Sequence, residues 1–183
     1  MTIIGIAGSL RKGSFNASLL RAAAQCVSSS TTLEIASIRE IPLYDADVEE
    51  IIGIPAVVQQ LKDRVAVADG LLLVTPEYNN SIPGVFKNVI DWMSRPPKDV
   101  PRVFANRPVA VMGATPGMNG TLLAQTAWLP VLRTLQTRPW FGGRLLVSNA
   151  AKVFDGTGAL VDADVQEKLK KFMSGFETFI AAK

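Results

Sequence analysis

Apolar residues return along this chain in two rhythms. Short runs of β-branched and aliphatic residues close on Gly, Thr or Asn. Between them lie longer stretches in which apolar side chains recur every three or four positions. The first rhythm predicts strands and the second amphipathic helices. "TIIGIA", residues 2–7, is a first strand. Asn16 can cap a helix that runs to about Ser28, with Leu19, Leu20, Ala23 and Val27 on one face. "LEIASI", residues 33–38, is a second strand, and "PLYDADV", residues 42–48, reads as a loop. Pro55 opens a second helix striped by Val58, Leu61, Val65 and Ala68. "GLLLVT", residues 70–75, is apolar throughout, as a central parallel strand is. Pro83 starts a third helix with Phe86, Val89, Ile90 and Met93 inward. "RPVAVMGAT", residues 107–115, is a fourth strand, and a long helix follows over about 120–137. "RLLVSN", residues 144–149, is a fifth strand. Asp162 or Asp164 begins the last helix, with Val165, Leu169, Phe172, Phe176 and Phe179 as its stripe.

Five strands alternating with five helices predict a three-layer α/β sandwich: a parallel sheet with helices on both faces. Right-handed crossovers leave few topologies, and the doubly wound order 2-1-3-4-5 fits best. In that order ligands bind beyond the carboxyl ends of strands one and three, where strand order reverses. Three loops converge there: "GSLRKGSFN" (8–16), "PEYNNSIPG" (76–84) and "ATPGMNG" (114–120).

Composition narrows the chemistry. The 183 residues are read as one domain spanning 1–183, and 48% hydrophobic against 19% charged residues marks a globular chain. No apolar run reaches the ~20 residues of a membrane span, and "MTIIGIAGS" carries no cationic leader, so a cytoplasmic protein is expected. The single Cys26 excludes an internal disulfide and a cysteine zinc site, and its apolar neighbours suggest a buried structural thiol. The sequence has no His, which removes Ser-His-Asp and Cys-His nucleophiles, most transition-metal sites and the usual proton shuttle. An enzyme built this way draws its chemistry from a cofactor, and no metal is expected. The formal net charge is +3. Between Lys87 and Arg107 lie five basic residues (Lys87, Arg95, Lys98, Arg102, Arg107) and two acidic ones (Asp91, Asp99). That excess either draws an anionic substrate toward a cleft or is a solvated face. It does not resemble a nucleic-acid stripe with interleaved aromatics.

The first loop is neither a Walker A loop nor GxGxxG, for its glycines are Gly5, Gly8 and Gly13. It still delivers a strand into a helix N-terminus, whose amides and dipole favour an anion. Ser9, Ser14 and Asn16 add donors, and Arg11 adds a planar fork suited to phosphate oxygens. A monophosphate fits such a loop better than a Mg²⁺-bound polyphosphate. The alternative is a well-capped turn with a solvated Arg-Lys pair. The second loop, bracketed by Pro76 and Pro83, suggests a stiff platform of backbone amides for a flat heterocycle. Tyr78 offers a ring for stacking and Glu77 an acceptor. The third loop, with Thr115 and Asn119, can close over one edge.

"GSLRKGSFN" together with "PEYNNSIPGVFKNVIDWMSRP" resembles the NAD(P)H-dependent FMN reductase family, which includes quinone, azo-dye and chromate reductases. The likeness extends from the first strand to the last helix. It implies a flavodoxin-like fold, non-covalent FMN, and a homodimer or homotetramer. It also implies that Ser9, Arg11, Ser14 and Asn16 bind the FMN phosphate, with Phe15 lending its backbone. Pro76, Glu77, Tyr78 and Asn79 would line the isoalloxazine, with Thr115 approaching from strand four. The implied reaction is a two-electron, ping-pong hydride transfer from NADPH or NADH through FMN N5. Acceptors would be quinones, azo dyes, chromate, ferric complexes or free flavin. No side chain is expected to be catalytic, and Tyr78 and Asn79 would only position. The alternatives are a flavodoxin-type electron carrier without NAD(P)H turnover of its own, and a flavin-free sensor of a phosphorylated metabolite. Neither a nucleic acid nor a membrane is an expected partner. The chain departs from the family at Leu122 and Leu123, where relatives often carry an Arg, and at Trp140, where some carry Glu. Tetramer contacts would then be apolar, through Trp140 and Phe141, with Trp92 and Trp128 as further exposed aromatics.

Overall fold

The computed structural model describes residues 1–182. One parallel sheet runs through it, from β1 (Thr2–Ala7), β2 (Thr32–Ala36), β3 (Gly70–Val74), β4 (Pro108–Ala114), β5 (Arg138–Pro139) and β6 (Leu145–Val147). Its order is β2-β1-β3-β4, and β5 and β6 share the fifth position, both paired with β4. The helices are α1 (Phe15–Ala24), α2 (Ala46–Ile52), α3 (Ala56–Val67), α4 (Gly84–Met93), α5 (Val100–Val103), α6 (Leu122–Thr134), α7 (Ala150–Val153) and α8 (Ala163–Ala181). This is the flavodoxin-like doubly wound sandwich that the alternation of rhythms predicts.

Two apolar layers follow from the two-residue period of the strands. Ile4 and Ile6 face one side with Leu71, Leu73 and Val109, under α3, α4, α5 and α6. Ile3 faces the other with Leu72, Val74 and Met112, under α1, α7 and α8. β3 is buried over its whole length, so both of its faces are apolar.

The structure departs from the sequence reading in four places. Asp45 caps the short helix α2 inside the stretch read as a loop; α2 buries no residue, so it has no apolar stripe to betray it. Ser14, not Asn16, caps α1, because its hydroxyl accepts from the Ala17 amide at 3.3 Å. The fifth strand is interrupted. The Trp140 ring packs on Phe172 and Phe176, with centroids 4.9 and 5.8 Å away, and the chain leaves the sheet to let it in. Gly142 and Gly143 make this possible: a Cβ on either would lie 2.5 Å from the indole.

The fourth departure concerns the aromatics expected at a surface. Trp92 and Trp128 are fully buried and Trp140 is half-buried. Their large apolar rings fill the space between sheet and helices. Of that set only Phe141 is exposed, at 73%. Cys26 lies just past the end of α1 and is half-buried at the edge of the second layer. Burial raises its thiol pKa, opposed by Lys170. Among the described residues no helix is long and apolar enough to cross a membrane.

Candidate functional site

β1, β3 and β4 end side by side, and their loops meet where the strand order reverses. The first loop continues the sheet for one residue, with the Gly8 amide donating to Val74 O at 2.9 Å. It then lies directly on α4. A Cβ at Gly8 would meet the Phe86 ring at 2.1 Å, so only glycine allows this approach. Beyond Gly8 the chain turns into α1. The amides of Lys12, Gly13, Ser14, Phe15 and Asn16 have no acceptor among the described residues. The Ser9 hydroxyl accepts from the Arg11 amide at 3.3 Å, and both Ser9 and Ser14 keep a hydroxyl proton to donate. Arg11 and Lys12 are exposed and form no ion pair among the described residues. Phe15 turns away and stacks on Phe154, centroids 5.9 Å apart, leaving its backbone to the loop.

Asn16 is placed differently from the sequence expectation. Its side chain is buried and donates to Ala114 O at 2.8 Å while accepting from Ala114 N at 2.9 Å. Both halves of the amide are engaged, so only its backbone N–H faces the loop.

The second loop is a tight turn. Tyr78 and Ser81 exchange backbone hydrogen bonds of 3.2 and 3.0 Å around Asn79 and Asn80. Both asparagines have positive φ, 50° and 60°, the two-residue geometry that Asn tolerates well. Tyr78 and Asn79 are thereby held exposed, next to buried Pro76. The amides of Glu77, Asn79 and Asn80 have no acceptor among the described residues. The Glu77 carboxylate points elsewhere: Oε2 accepts from the amides of Leu123 and Ala124 at 2.8 and 2.9 Å. Thr121, which precedes α6, makes no side-chain cap of its own. Glu77 thus caps α6 across the crevice, where a carboxylate also complements the helix dipole. In the third loop, Thr115 is half-buried; its amide donates to Val147 O and its carbonyl accepts from Ala150 N, each at 3.0 Å.

Two contributors escaped the sequence reading. Arg39, just past β2, donates from Nη2 to Leu10 O at 2.8 Å and braces the first loop from outside. Phe86 supplies the floor under Gly8. Only topology brings either to the loop, so no local motif announces them.

Most of the basic stretch is engaged within the fold, and only Lys98 stands exposed without an ion pair among the described residues. Arg95 pairs with Glu49 at 2.8 Å, Lys87 with Asp91 at 2.6 Å, and Arg102 with Asp63 at 2.8 Å and Asp99 at 3.4 Å. Lys62, fully buried on α3, pairs with Asp99 at 2.7 Å and donates to the Arg95 carbonyl. Arg107 donates to the Ala66, Ala68 and Val103 carbonyls, and burial lowers its pKa. The cations hold the carboxyls of Asp99, Asp63 and Glu49 below the usual carboxylate range, chiefly through Lys62, Arg102 and Arg95 respectively.

Two clefts lie away from the loops. One of ≈ 430 Å³ runs between α1 and the chain around Gly158, and one of ≈ 270 Å³ opens at the break in the fifth strand. Neither is lined by a residue of the three loops.

A family model described as NADPH-dependent FMN reductase matches residues 1–152. An NAD(P)H-dependent FMN reductase of Pseudomonas aeruginosa is 37% identical over 178 residues, covering 97% of this chain and 94% of that protein. A quinone reductase of Escherichia coli is 37% identical over 185 residues, covering 98% and 95%. Among solved structures, the flavoenzyme NAD(P)H:(acceptor) oxidoreductase of Paracoccus denitrificans superposes with a TM-score of 0.88 at 30% identity, covering 99% of this chain and 97% of that one.

The residues present suit FMN. Five unbonded amides, two hydroxyls and a guanidinium converge on the first loop, and no carboxylate stands among them. That is the donor set of a phosphate site. The second loop sets free amides beside an exposed phenol ring, which suits a planar heterocycle with edge acceptors. Among the described residues no cluster of His, Cys, Asp or Glu is arranged for a metal ion.

Proposed function

The chain belongs to the NADPH-dependent FMN reductase family, and from that premise we propose how its three loops divide the work. It is an NAD(P)H-dependent flavoenzyme of the quinone reductase type, with FMN as cofactor. The first loop holds the FMN phosphate through Arg11, the Ser9 and Ser14 hydroxyls, and the amides from Lys12 to Asn16. Phe15 contributes its backbone only. Pro76, Glu77, Tyr78, Asn79 and Thr115 surround the isoalloxazine. The observation that carries this reading is the run of five unbonded amides beside an unpaired Arg11 in the loop after β1, with the tight turn at Tyr78 in the loop after the neighbouring β3.

Bound FMN supplies acceptance and return of a hydride. The protein orients and stabilises. The unbonded amides of Glu77, Asn79 and Asn80 would hold the edge of the bound ring and would stabilise negative charge there. Pro76 and the tight turn fix those donors before substrate arrives. Tyr78 is exposed and offers its ring to a planar substrate. Tyr78 and Asn79 only position, and solvent delivers the proton to the product.

NAD(P)H and acceptor alternate at the same ring face in a ping-pong cycle. Quinones are the primary acceptors; azo dyes, chromate, ferric complexes and free flavin are reduced at the same place. Residues 1–183 act as a single FMN-binding domain in a cytoplasmic homodimer or homotetramer. Trp140 packs on Phe172 with one side and stays half-buried, so exposed Phe141 offers the larger apolar contact there.

The test is steady-state oxidation of NADPH and of NADH with a benzoquinone. Parallel double-reciprocal lines are expected, and intersecting lines would contradict alternating occupancy. Protein that binds flavin yet fails to oxidise either nicotinamide would instead favour a one-electron carrier.

A further inference from the structure

Asn16 stands within the motif that resemblance assigns to the phosphate, yet its side chain is committed to another strand. It is 3% exposed and makes two hydrogen bonds to one residue 98 positions away, at 2.8 and 2.9 Å. A primary amide carries one acceptor and a donor in the spacing of a peptide group. It therefore closes the end of β4 as a neighbouring strand would. Ala114 is the last residue of β4, and Thr115 follows it directly. The backbone N–H of Asn16 is meanwhile the last of the five unbonded amides of the first loop.

We propose that Asn16 is a positioning residue. Through the Ala114 backbone it holds the amides of the first loop in register with the start of the third, fixing the spacing between the two ends of the FMN site. The proposal rests on reading these loops as that site. No other residue of similar size does both jobs: Asp lacks the donor, Ser is too short, and Leu offers neither group.

The test uses the full chain freed of flavin and titrated with FMN and with riboflavin, which lacks the phosphate. Wild type, Arg11→Ala and Asn16→Leu are compared. Leu fills the volume but leaves the buried Ala114 N–H and C=O unpaired, and those groups relax at the expense of the register. Asn16→Leu is expected to raise both dissociation constants by about tenfold or more, the equivalent of one buried hydrogen-bonding group left unpaired. Arg11→Ala raises only that of FMN. A rise for FMN alone in Asn16→Leu would mean that Asn16 acts on the phosphate. Unchanged constants with a lower melting temperature would mean that it only supports the fold. Either result overturns the proposal while leaving the site assignment intact. An Arg11→Ala protein that binds FMN like wild type overturns the site assignment and the proposal together. If Asn16→Leu fails to fold, Asn16→Ser is measured in its place, with the same joint rise expected.

Discussion

Two groups of cations divide this molecule. The Lys87–Arg107 stretch holds the surplus positive charge that the sequence displays, and among the described residues the structure gives four of its five cations partners, leaving Lys98 exposed and unpaired. Arg95, Arg102 and Lys87 have carboxylate partners, and Arg107 is taken up by carbonyls. The first loop holds only Arg11 and Lys12, and neither is paired. The same residue types serve opposite ends. In the first group they knit α2, α3 and the turn after α4 into one framework. In the second they stand beside unbonded amides, as a group left open for a ligand would. Net charge along a sequence therefore says little about where an anion binds; the partners do.

The largest effect expected from breaking the first group is at Asp99. Asp99→Asn leaves the buried Lys62 without a carboxylate and should destabilise the fold by about 3 kcal/mol, measured by urea unfolding, with no change in FMN affinity. The same group gives the fold an acid limit. Asp99, Asp63 and Glu49 have depressed pKa values, so their stabilising contribution is complete above the ordinary carboxylate range, at about pH 4. It is lost as pH falls from there through their lower folded values. The urea midpoint should drop over that interval, and drop less in Asp99→Asn.

A smaller effect is expected at the seam between the groups. Glu77→Gln weakens the cap on α6, and a melting experiment should register about 1 kcal/mol. Hydrogen exchange at Leu123 and Ala124 should speed up; unchanged exchange there would show that the carboxylate does not cap the helix. The smallest effect is at Arg39, which only braces the first loop. Arg39→Ala should raise the FMN dissociation constant about two- to threefold, corresponding to roughly 0.5 kcal/mol. A larger loss would place Arg39 on the ligand itself.

Much of this was legible in the sequence. The period-two and period-3.6 patterns reveal the strands and helices, right-handed crossovers order them, and the polar loops at the ends of "TIIGIA" and "GLLLVT" mark the proposed site. What stayed hidden depends on partners distant in sequence. Asn16 looks like a cap or a phosphate donor until Ala114 arrives beside it. Glu77 looks like a ring acceptor until α6 begins without a cap of its own. Trp92 and Trp128 suggest a surface until the layer under α3, α4, α5 and α6 buries them, and Trp140 until it packs half-buried on Phe172. The split of the fifth strand follows from the fit of one indole against Gly142 and Gly143, which no periodicity encodes.

The central claim, that the unpaired cation and not the paired ones holds the cofactor, is tested most directly by two variants that each remove one positive charge. FMN dissociation constants are measured for Arg11→Ala and Arg102→Ala under the same salt. The account predicts that Arg11→Ala loses about 1.5–3 kcal/mol of binding, the range for hydrogen bonds to a charged group, while Arg102→Ala binds FMN as the wild type does. Equal losses in the two variants, or no loss in Arg11→Ala, would contradict it.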